Sequence, residues 1–497
     1  MMSTVAMALS SALVGAFLQG APCENFASLQ LPTTTITSAE VVSAGPYITQ
    51  GRGGPQTGPT LPEHCRVAAV LAPSSDSHIE MELWMPSGNS WNGKFLAVGN
   101  GGWAGSISFA AMAGGLAEGY AVASNDTGHE GGSGAFALDH PEKLVDFAYR
   151  AMHEMTVQSK TMIESFYSEP ARLSYYEGCS TGGRQGVMAV QRYPTDFDAV
   201  IAGAPANPHT YLHAGDMRRD LFVLSDEANL VPREKLTMVQ EAVINACDAI
   251  DGVRDGMLLD PRMCSFDVSS LTCAGPETDA CLTPAQAGTI RFSYTDARRS
   301  NGDLVFPGFI MGGEESWVHT NISEPPSLII DTFRYIGRED ADWDWREFDL
   351  DEDVSLAMEN GGYINALSRD LSDFRAAGGK LILYHGWNDQ LIQPENTVNF
   401  YSEVLDTMGQ DQDDWMRLFM VPAMNHCRGG YGPSQIDWLS NLERWRESDE
   451  APESVTAFRV RGNAVDMTRP VCAYPEHATY SGVGSTNDAA NFTCEMP

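Results

Sequence analysis

Short apolar runs alternate with helical patterns along much of the chain. The apolar runs predict buried strands at 94–102, 119–126, 173–180, 198–206, 380–387 and 417–422. Helical patterns lie between these runs at about 141–167 and at 182–194, where Pro194 ends the second helix. Strands that alternate with helices in this way predict an α/β fold with a doubly wound, mostly parallel sheet.

The alternation stops between about residues 207 and 369. This segment has four cysteines, several tryptophans and an acidic run at 338–354, and it has no clear series of buried strands. We interpret it as an insertion that caps the carboxyl edge of the sheet, where open α/β folds bind ligands. The predicted division is therefore a catalytic domain of residues 22–206 and 370–497, with a lid domain at 207–369. The acidic run is typical of a solvated face rather than a ligand site.

Composition narrows the class of protein. The 497 residues carry a net charge of −35, which argues against a partner such as nucleic acid or an anionic membrane. Residues 1–21 are apolar and then small, which predicts a secretory signal peptide, with a buried helix as the alternative. No later run is long enough to span a membrane. The ten cysteines form no CxxC pair, so they favour disulfides and a secreted protein, extracellular or periplasmic.

A motif for a nucleophilic serine lies at the end of the third predicted strand. Residues 178–182 match G-x-S-x-G, with Ser180 at the centre, a strand before it and a helix after it. This setting places a serine hydroxyl on a sharp turn, and the start of the helix offers a positive dipole end to a developing oxyanion. The alternative is an ordinary strand-to-helix turn.

A nucleophilic serine requires a base and a carboxylate that orients the base, in the chain order Ser, Asp or Glu, His. Asp389 follows the predicted strand 380–387, and His426 follows 417–422. Both residues are therefore expected at the same sheet edge as Ser180. His385 is a competing base, but it lies at the end of its own strand.

Three segments together resemble the tannase and feruloyl esterase family of secreted serine hydrolases. They are GCSTGGRQG, HGWNDQLI and MNHCRGG, in which one cysteine precedes Ser180 and another follows His426. The resemblance implies an α/β-hydrolase fold with a lid. It also implies Ser180 as nucleophile, His426 as general base and Asp389 as its partner.

The resemblance extends to the oxyanion hole and the disulfides. It implies one oxyanion donor from the amide of Thr181 and a second from the glycine turn GNGGWAG, with Gly102 preferred and Gly101 as the alternative. The disulfides implied by family likeness and closeness in the chain are Cys179–Cys427, Cys247–Cys264, Cys273–Cys281, Cys472–Cys494 and Cys23–Cys65. The first of these would tether Ser180 to His426.

An acidic loop in the predicted lid is a candidate metal site. Three aspartates lie within eight residues, beside glycines that let a loop fold around an ion, although the spacing is not that of an EF-hand. By itself the loop is as typical of an acidic turn. The resemblance implies a structural Ca²⁺ site, with carboxylates from Asp248, Asp251 and Asp255 and carbonyls from Val253 and Met257.

The leading hypothesis is a secreted serine esterase that acts on aromatic (phenolic) acid esters, a substrate class that comes from the resemblance. Alternatives are a hydrolase of mono(2-hydroxyethyl) terephthalate or similar monoesters, a peptidase, and a calcium-stabilised extracellular binding protein without catalysis. The tryptophans Trp317, Trp343 and Trp345 either stack on an aromatic acyl group or belong to the core. The expected partner is a small aromatic ester.

Overall fold

The computed structural model describes residues 21–51 and 54–497. Nearly all of the predicted signal segment, 1–21, lies outside these residues. Within them, no helix is both long enough and apolar enough to cross a membrane.

The described residues form seventeen strands and twelve α-helices. The strands are β1 Thr34–Val42, β2 Gly45–Gly51, β3 Gly54–Leu61, β4 His64–Leu71, β5 Ile79–Pro86, β6 Lys94–Val98, β7 Ala121–Asn125, β8 Leu173–Cys179, β9 Ala199–Gly203, β10 Ala297–Arg298, β11 Leu304–Phe306, β12 Lys380–Gly386, β13 Met416–Val421, β14 Ser454–Arg461, β15 Ala464–Cys472, β16 His477–Tyr480 and β17 Phe492–Glu495. The α-helices are α1 Phe109–Ala117, α2 Pro141–Val145, α3 Ala151–Tyr167, α4 Thr181–Arg192, α5 His209–Leu224, α6 Arg233–Cys247, α7 Pro284–Ser293, α8 Ser327–Asp331, α9 Leu350–Gly361, α10 Ser372–Ala376, α11 Glu395–Met408 and α12 Trp438–Ser448.

A nine-stranded sheet organises the molecule, in the order β1-β4-β5-β7-β6-β8-β9-β12-β13. The strands from β7 to β13 in this order pair in parallel, whereas β1, β4, β5 and β7 pair antiparallel. The predicted parallel strands are all present. Their apolar runs are continuous because helices cover both faces, and β7 and β9 are buried along their whole length.

The parallel register brings three strand ends to one edge of the sheet. Cys179, the last residue of β8, lies opposite Gly203 of β9, which in turn lies opposite Tyr384 of β12. Gly386 at the end of β12 lies opposite Val421 at the end of β13. The loops that follow β8, β12 and β13 therefore begin side by side.

The predicted helix at 141–167 is interrupted. A π-helical turn at Asp146–Arg150 joins α2 to α3, and its wider hydrogen-bonding pattern leaves carbonyls available to other donors. The Arg184 guanidinium of α4, which is fully buried, donates to the carbonyl of Ala148 at 3.0 Å. The turn thus anchors the helix that begins directly after Ser180.

Residues 204–379, which we call the inserted segment, connect β9 to β12. They contribute none of the nine sheet strands and instead form helices α5 to α10 and the short β10–β11 hairpin. Most members of two buried apolar clusters belong to this segment, one around Phe333 and one around Leu236. Trp343 and Trp345 belong to the first and Trp317 to the second, each less than 9% exposed, which supports the core interpretation of these tryptophans.

Candidate active site

Ser180 occupies a strained turn between β8 and α4. Its backbone has φ +64° and ψ −123°, a conformation that residues other than glycine rarely adopt. The turn is held from both sides, because the Ser180 amide donates to the Gly203 carbonyl at 3.0 Å and the Ser180 carbonyl accepts from the amide of Ala206 at 3.1 Å. The side chain is half-buried, so its hydroxyl is presented at the carboxyl edge of the sheet.

The two motif glycines are required by close approach of the backbone. A Cβ at position 178 would lie 2.7 Å from the carbonyl carbon and oxygen of Gly182, and one at position 182 would lie 3.0 Å from the carbonyl oxygen of Asn100. Real Cβ atoms do not approach a backbone to 2.7 Å, so a side chain at 178 would force the turn open. The G-x-S-x-G pattern therefore has a steric cause here.

The predicted acid and base form a hydrogen-bonded pair. Nδ1 of His426 lies 2.7 Å from Oδ2 of Asp389, and the carboxylate is 3% exposed. The other oxygen, Oδ1, accepts from the amides of Leu391 and Ile392 at 2.8 and 2.9 Å. The backbone loop after β12 thus fixes the carboxylate, and the carboxylate fixes the imidazole.

Each member of this pair shifts the pKa of the other. Burial alone would raise the pKa of Asp389, but the charge of His426 and hydrogen bonds from His385 and His426 hold it well below its usual range. Burial alone would lower the pKa of His426, but the charge of Asp389 and its hydrogen bond raise it above the usual value. The pair is therefore arranged to carry an ionised carboxylate beside a basic imidazole.

A disulfide joins the serine turn to the histidine loop. Cys179 and Cys427 are bonded, with 6.0 Å between their Cα atoms and a sequence separation of 248. Ser180 and His426 are their chain neighbours and are therefore held close together. Among the described residues, the Ser180 hydroxyl and His426 share no hydrogen bond. In hydrolases without substrate the bond between serine and histidine often forms only when substrate binds.

The glycine turn after β6 contacts the start of α4. The Thr181 hydroxyl donates to the carbonyl of Gly102 at 2.9 Å, and the Gly182 amide donates to the carbonyl of Asn100 at 2.8 Å. The Thr181 amide, at the first position of α4, donates no hydrogen bond within the part of the chain that the structure describes. The turn that includes Gly101 and Gly102 therefore lies beside a free helix N-terminal amide, as an oxyanion hole requires.

His385 does not face the serine. It is fully buried, with Nδ1 2.7 Å from the Thr397 hydroxyl and Nε2 3.0 Å from Oδ2 of Asp389. Because both ring nitrogens are engaged within the fold, the competing assignment of His385 as the general base has no geometric support. The ring lies behind the carboxylate instead.

Two contacts around the site were not predicted. The side-chain oxygen of Gln390 accepts from the His426 amide at 3.1 Å, so the residue after Asp389 also fixes the loop of His426. The indole of Trp103, next to Gly102, donates to the Leu328 carbonyl at 2.9 Å. Adjacency in sequence to Asp389 and Gly102 was the available signal for both residues.

The inserted segment also contacts the loop of the acid. The side-chain amide of Asn388 and the hydroxyl of Tyr431 both donate to the carbonyl of Gly312, at 2.6 and 3.0 Å. With the bond from Trp103 to Leu328, these contacts join the inserted segment to the loops that hold Asp389, His426 and Gly102. All three use backbone carbonyls of the inserted segment.

A cavity of about 730 Å³ borders the Cys179–Cys427 disulfide. Its lining includes Cys179, Arg428 and three carboxylates, which are Glu118, Glu177 and Asp437. Neither Ser180 nor His426 lines it. This cavity is therefore separate from the group of residues that the sequence predicted to carry the reaction.

The acidic loop offers oxygen ligands. One carboxylate oxygen of Asp248 accepts from the amides of Asp255 and Gly256, and one of Asp255 pairs with Arg469 at 2.6 Å. Burial raises the pKa of Asp251 to about 6, and the charges of Asp255 and Asp248 add to this.

The donor set of this loop suits a hard cation. The carbonyls of Val253 and Met257 accept no hydrogen bond from any described residue, so they remain available as ligands. Within the described residues, however, no three His, Cys, Asp or Glu side chains are grouped closely enough to hold a metal ion. The calcium site thus remains a prediction.

The structure contains all five disulfides that the resemblance implied. The other four join Cys23 to Cys65, Cys247 to Cys264, Cys273 to Cys281 and Cys472 to Cys494. No cysteine among the described residues is free. Cys179, which precedes Ser180, therefore offers no free thiol that could act as a nucleophile in its place.

The chain is similar to known proteins in both sequence and architecture. A family model described as tannase and feruloyl esterase matches residues 65–495. A probable feruloyl esterase B-2 of Aspergillus oryzae is 33% identical over 509 residues, and the match covers 95% of each chain.

Solved structures agree with this match. The crystal structure of feruloyl esterase B from Aspergillus oryzae has a TM-score of 0.89 at 33% identity and covers 95% of this chain and 99% of that one. Tannin acyl hydrolase from Aspergillus niger has a TM-score of 0.78 at 21% identity, covering 95% and 93% of the two chains. The predicted α/β-hydrolase fold is therefore confirmed.

Proposed function

The chain belongs to the tannase and feruloyl esterase family of carboxylic ester hydrolases, and from this premise we propose that it hydrolyses esters of aromatic acids with a Ser180–His426–Asp389 triad. The observation that carries the proposal is the 2.7 Å bond between His426 and Asp389, in a loop that a disulfide ties to the serine turn. Ser180, Asp389 and His426 follow strands that end side by side at one edge of the sheet, which supports these three roles.

Acylation begins at the serine hydroxyl. Because Nδ1 of His426 is bonded to Asp389, Nε2 is the nitrogen that takes the proton while Ser180 Oγ attacks the ester carbonyl. The negative charge that develops on the carbonyl oxygen is stabilised by the amide of Thr181 and by a second amide, from Gly102 or, less favoured, Gly101. His426 then returns the proton to the departing alkoxide, which leaves as the alcohol.

Deacylation repeats these steps with water. His426 removes a proton from a water molecule, whose oxygen attacks the acyl carbon, and the same amides stabilise the second oxyanion. Collapse of this intermediate breaks the bond to Ser180 Oγ, which recovers its proton from His426. The acid product leaves and the enzyme returns to its starting state.

The substrate class rests on the relatives. They are a feruloyl esterase and a tannin acyl hydrolase by name, and both names point to phenolic acyl groups. Monoesters of terephthalate are a related alternative. The tryptophans of the inserted segment do not support aromatic stacking, because all three are buried.

The test measures the initial rate of hydrolysis of methyl ferulate, methyl gallate, mono(2-hydroxyethyl) terephthalate and a peptide amide. Ser180→Ala is compared with Ser225→Ala, a control at an exposed serine. We expect turnover of an aromatic ester that Ser180→Ala lowers at least about 10⁴-fold and the control leaves unchanged. A fluorophosphonate probe should label the Ser180 peptide. Equal activity in Ser180→Ala, or labelling elsewhere, contradicts the triad.

We further propose a structural Ca²⁺ ion in the acidic loop, held by the carboxylates of Asp248, Asp251 and Asp255 and by the carbonyls of Val253 and Met257. The repulsion that the charges of Asp255 and Asp248 exert on Asp251 and the two free carbonyls support it, and binding would draw the three carboxylates closer together than they lie in the structure. A bound divalent cation would offset that repulsion and fix the loop. Chelator-treated protein should regain thermal stability when Ca²⁺ is added, and absence of any gain would contradict the site.

Secretion is the remaining part of the proposal, and its support is chemical. Five disulfides among the described residues are typical of proteins that fold in oxidising compartments. Expression of the full chain should place mature esterase, without residues 1–21, in the medium or periplasm. Activity retained with the cytoplasmic fraction would contradict this.

A further inference from the structure

His385 is a buried histidine with three hydrogen-bonding contacts beside the site. It is the next-to-last residue of β12 and has no exposed surface. Nδ1 lies 2.7 Å from the Thr397 hydroxyl of α11, while Nε2 lies 3.0 Å from both Asp389 Oδ2 and the Ile392 carbonyl. The ring therefore bridges a helix and the loop that carries the acid.

The contact with Ile392 identifies the tautomer. A carbonyl oxygen can only accept, so Nε2 must carry a hydrogen, which it shares between the Ile392 carbonyl and Asp389. In the neutral ring Nδ1 is then an acceptor, and the Thr397 hydroxyl donates to it. The hydroxyl of Thr397 thus sets the direction of the donor that reaches Asp389.

This donor completes the shell of the catalytic carboxylate. Oδ1 of Asp389 accepts two backbone amides, and Oδ2 accepts from His426 and from His385. Of the two partners of Oδ2, His426 gains and loses a proton during each half-reaction. His385 is the partner whose bond persists while that proton moves.

The surroundings of His385 contain little other charge. Met420 of β13 lies opposite it, and β9 contributes Ala202 and Gly203 beside the preceding strand residues. The titratable groups near it are Asp389, His426 across that carboxylate, and Tyr384, which precedes it and points to the opposite face of the sheet. Its donor therefore acts chiefly on the Asp389 carboxylate.

We propose that His385 is a positioning residue for ester hydrolysis, one that holds Asp389 Oδ2 in line with His426 throughout the reaction. The proposal rests on the triad proposed above. His385 touches neither substrate nor serine, and it acts through Asp389. Removal of its donor leaves the carboxylate with less stabilisation, so the carboxylate binds the protonated imidazole of His426 more strongly.

Two replacements of His385 separate this role from simple packing. His385→Gln can place an amide N–H near the position of Nε2 and keep the bond to Asp389. His385→Asn is shorter and reaches only toward Thr397. His64, a buried histidine bonded to the Pro62 carbonyl and far from the triad in the sheet order, supplies the control His64→Asn.

We expect His385→Asn to lower kcat about 10- to 100-fold, the range for loss of one hydrogen bond to a charged group, with KM changed less than about twofold. The midpoint of the acid limb of kcat/KM should move to higher pH. His385→Gln should recover most of kcat and the original midpoint, and His64→Asn should alter neither.

Several outcomes would overturn the proposal. Wild-type kcat and an unmoved pH profile in His385→Asn would do so, as would equal losses in the Gln and Asn variants. If His385→Asn does not fold, Thr397→Val removes the hydroxyl that directs the ring and should shift the profile the same way, and an unchanged profile there counts against the proposal. Activity that survives Ser180→Ala instead refutes the triad, which keeps the two failures distinct.

Discussion

The disulfide between Cys179 and Cys427 should matter more for turnover than for folding. Replacing both cysteines by serine removes the covalent link between the neighbours of Ser180 and His426 and leaves the other four disulfides intact. The matched control is the same double replacement at Cys273 and Cys281, a disulfide of the inserted segment that touches no triad residue. Both variants lose one cross-link.

The expected loss of stability follows from the size of each closed loop. For the separation of 248 residues the chain-entropy relation yields about 5.5 kcal/mol at 25 °C, and for the separation of 8 residues about 2.5 kcal/mol. A chain of 497 residues has an unfolding entropy of about 1 kcal/mol/K, so Tm should fall by about 5 °C and about 2–3 °C respectively.

Turnover should separate the two variants much further. At 25 °C, with folding verified by circular dichroism, we expect Cys179→Ser/Cys427→Ser to lower kcat about 10- to 100-fold, since a small displacement of reacting groups has effects of this size. The control should keep wild-type kcat. A folded Cys179→Ser/Cys427→Ser variant with wild-type kcat would refute the tether argument, whatever its Tm.

Three further predictions concern pH, calcium and the serine turn. The pKa of His426 is raised, and attack needs its neutral form, so kcat/KM should increase with pH through a midpoint above about 6.5; a midpoint below that value contradicts the pairing with Asp389. The raised pKa of His426 means that its protonated form stabilises the folded protein below about pH 6.5, and this stabilisation is lost as the pH rises through the folded-state pKa. The lowered pKa of Asp389 means that its ionised form stabilises the folded protein above about pH 3.9, and this stabilisation is lost as the pH falls through the folded-state pKa. Calcium at a hundredfold excess over its Kd should add about 2.7 kcal/mol to the free energy of unfolding, which calorimetry with and without chelator can measure. This gain should be absent in Asp251→Asn and retained in Asp279→Asn, a control at an exposed residue. Gly178→Ala should lower kcat at least about tenfold because its Cβ would meet the Gly182 backbone at 2.7 Å, whereas Gly114→Ala in α1, with no atom within 4 Å of the new Cβ, should leave rates unchanged; equal rates in both would contradict the steric account.

The parallel half of the sheet and the serine turn were predictable because each leaves a local pattern. β8, β9 and β12 are short apolar runs, and the spacing of apolar residues changes from that of a strand before Ser180 to that of a helix after it. The antiparallel strands β1, β4 and β5 were not predicted. In β1 the sequence TTITSAEVV is mostly polar and mostly solvent-accessible, so no apolar run marks it.

Other features depend on partners distant in sequence. The π-helical turn at Asp146–Arg150 is coupled to the Arg184 guanidinium, which no pattern within 141–167 reveals. The position of His385 behind Asp389 depends on the loop that returns the Ile392 carbonyl to the ring. Disulfide connectivity came from the family resemblance, since ten cysteines can pair in many ways and spacing alone does not choose among them.

The inserted segment leaves and rejoins the sheet at adjacent strands, because Ala199 of β9 lies directly opposite Lys380 of β12. A change in the length of the inserted segment therefore has a small effect on the free energy of closing the loop between these two points, about 0.6 kcal/mol for each doubling of length. Three of its bonds to the loops around the triad end on backbone carbonyls, two on that of Gly312 and one on that of Leu328. Most of the segment can therefore diverge, or be exchanged for that of a relative, provided that the backbone at Gly312 and Leu328 is kept together with Arg262, whose guanidinium lies over the indole of Trp387 in the loop of Asp389.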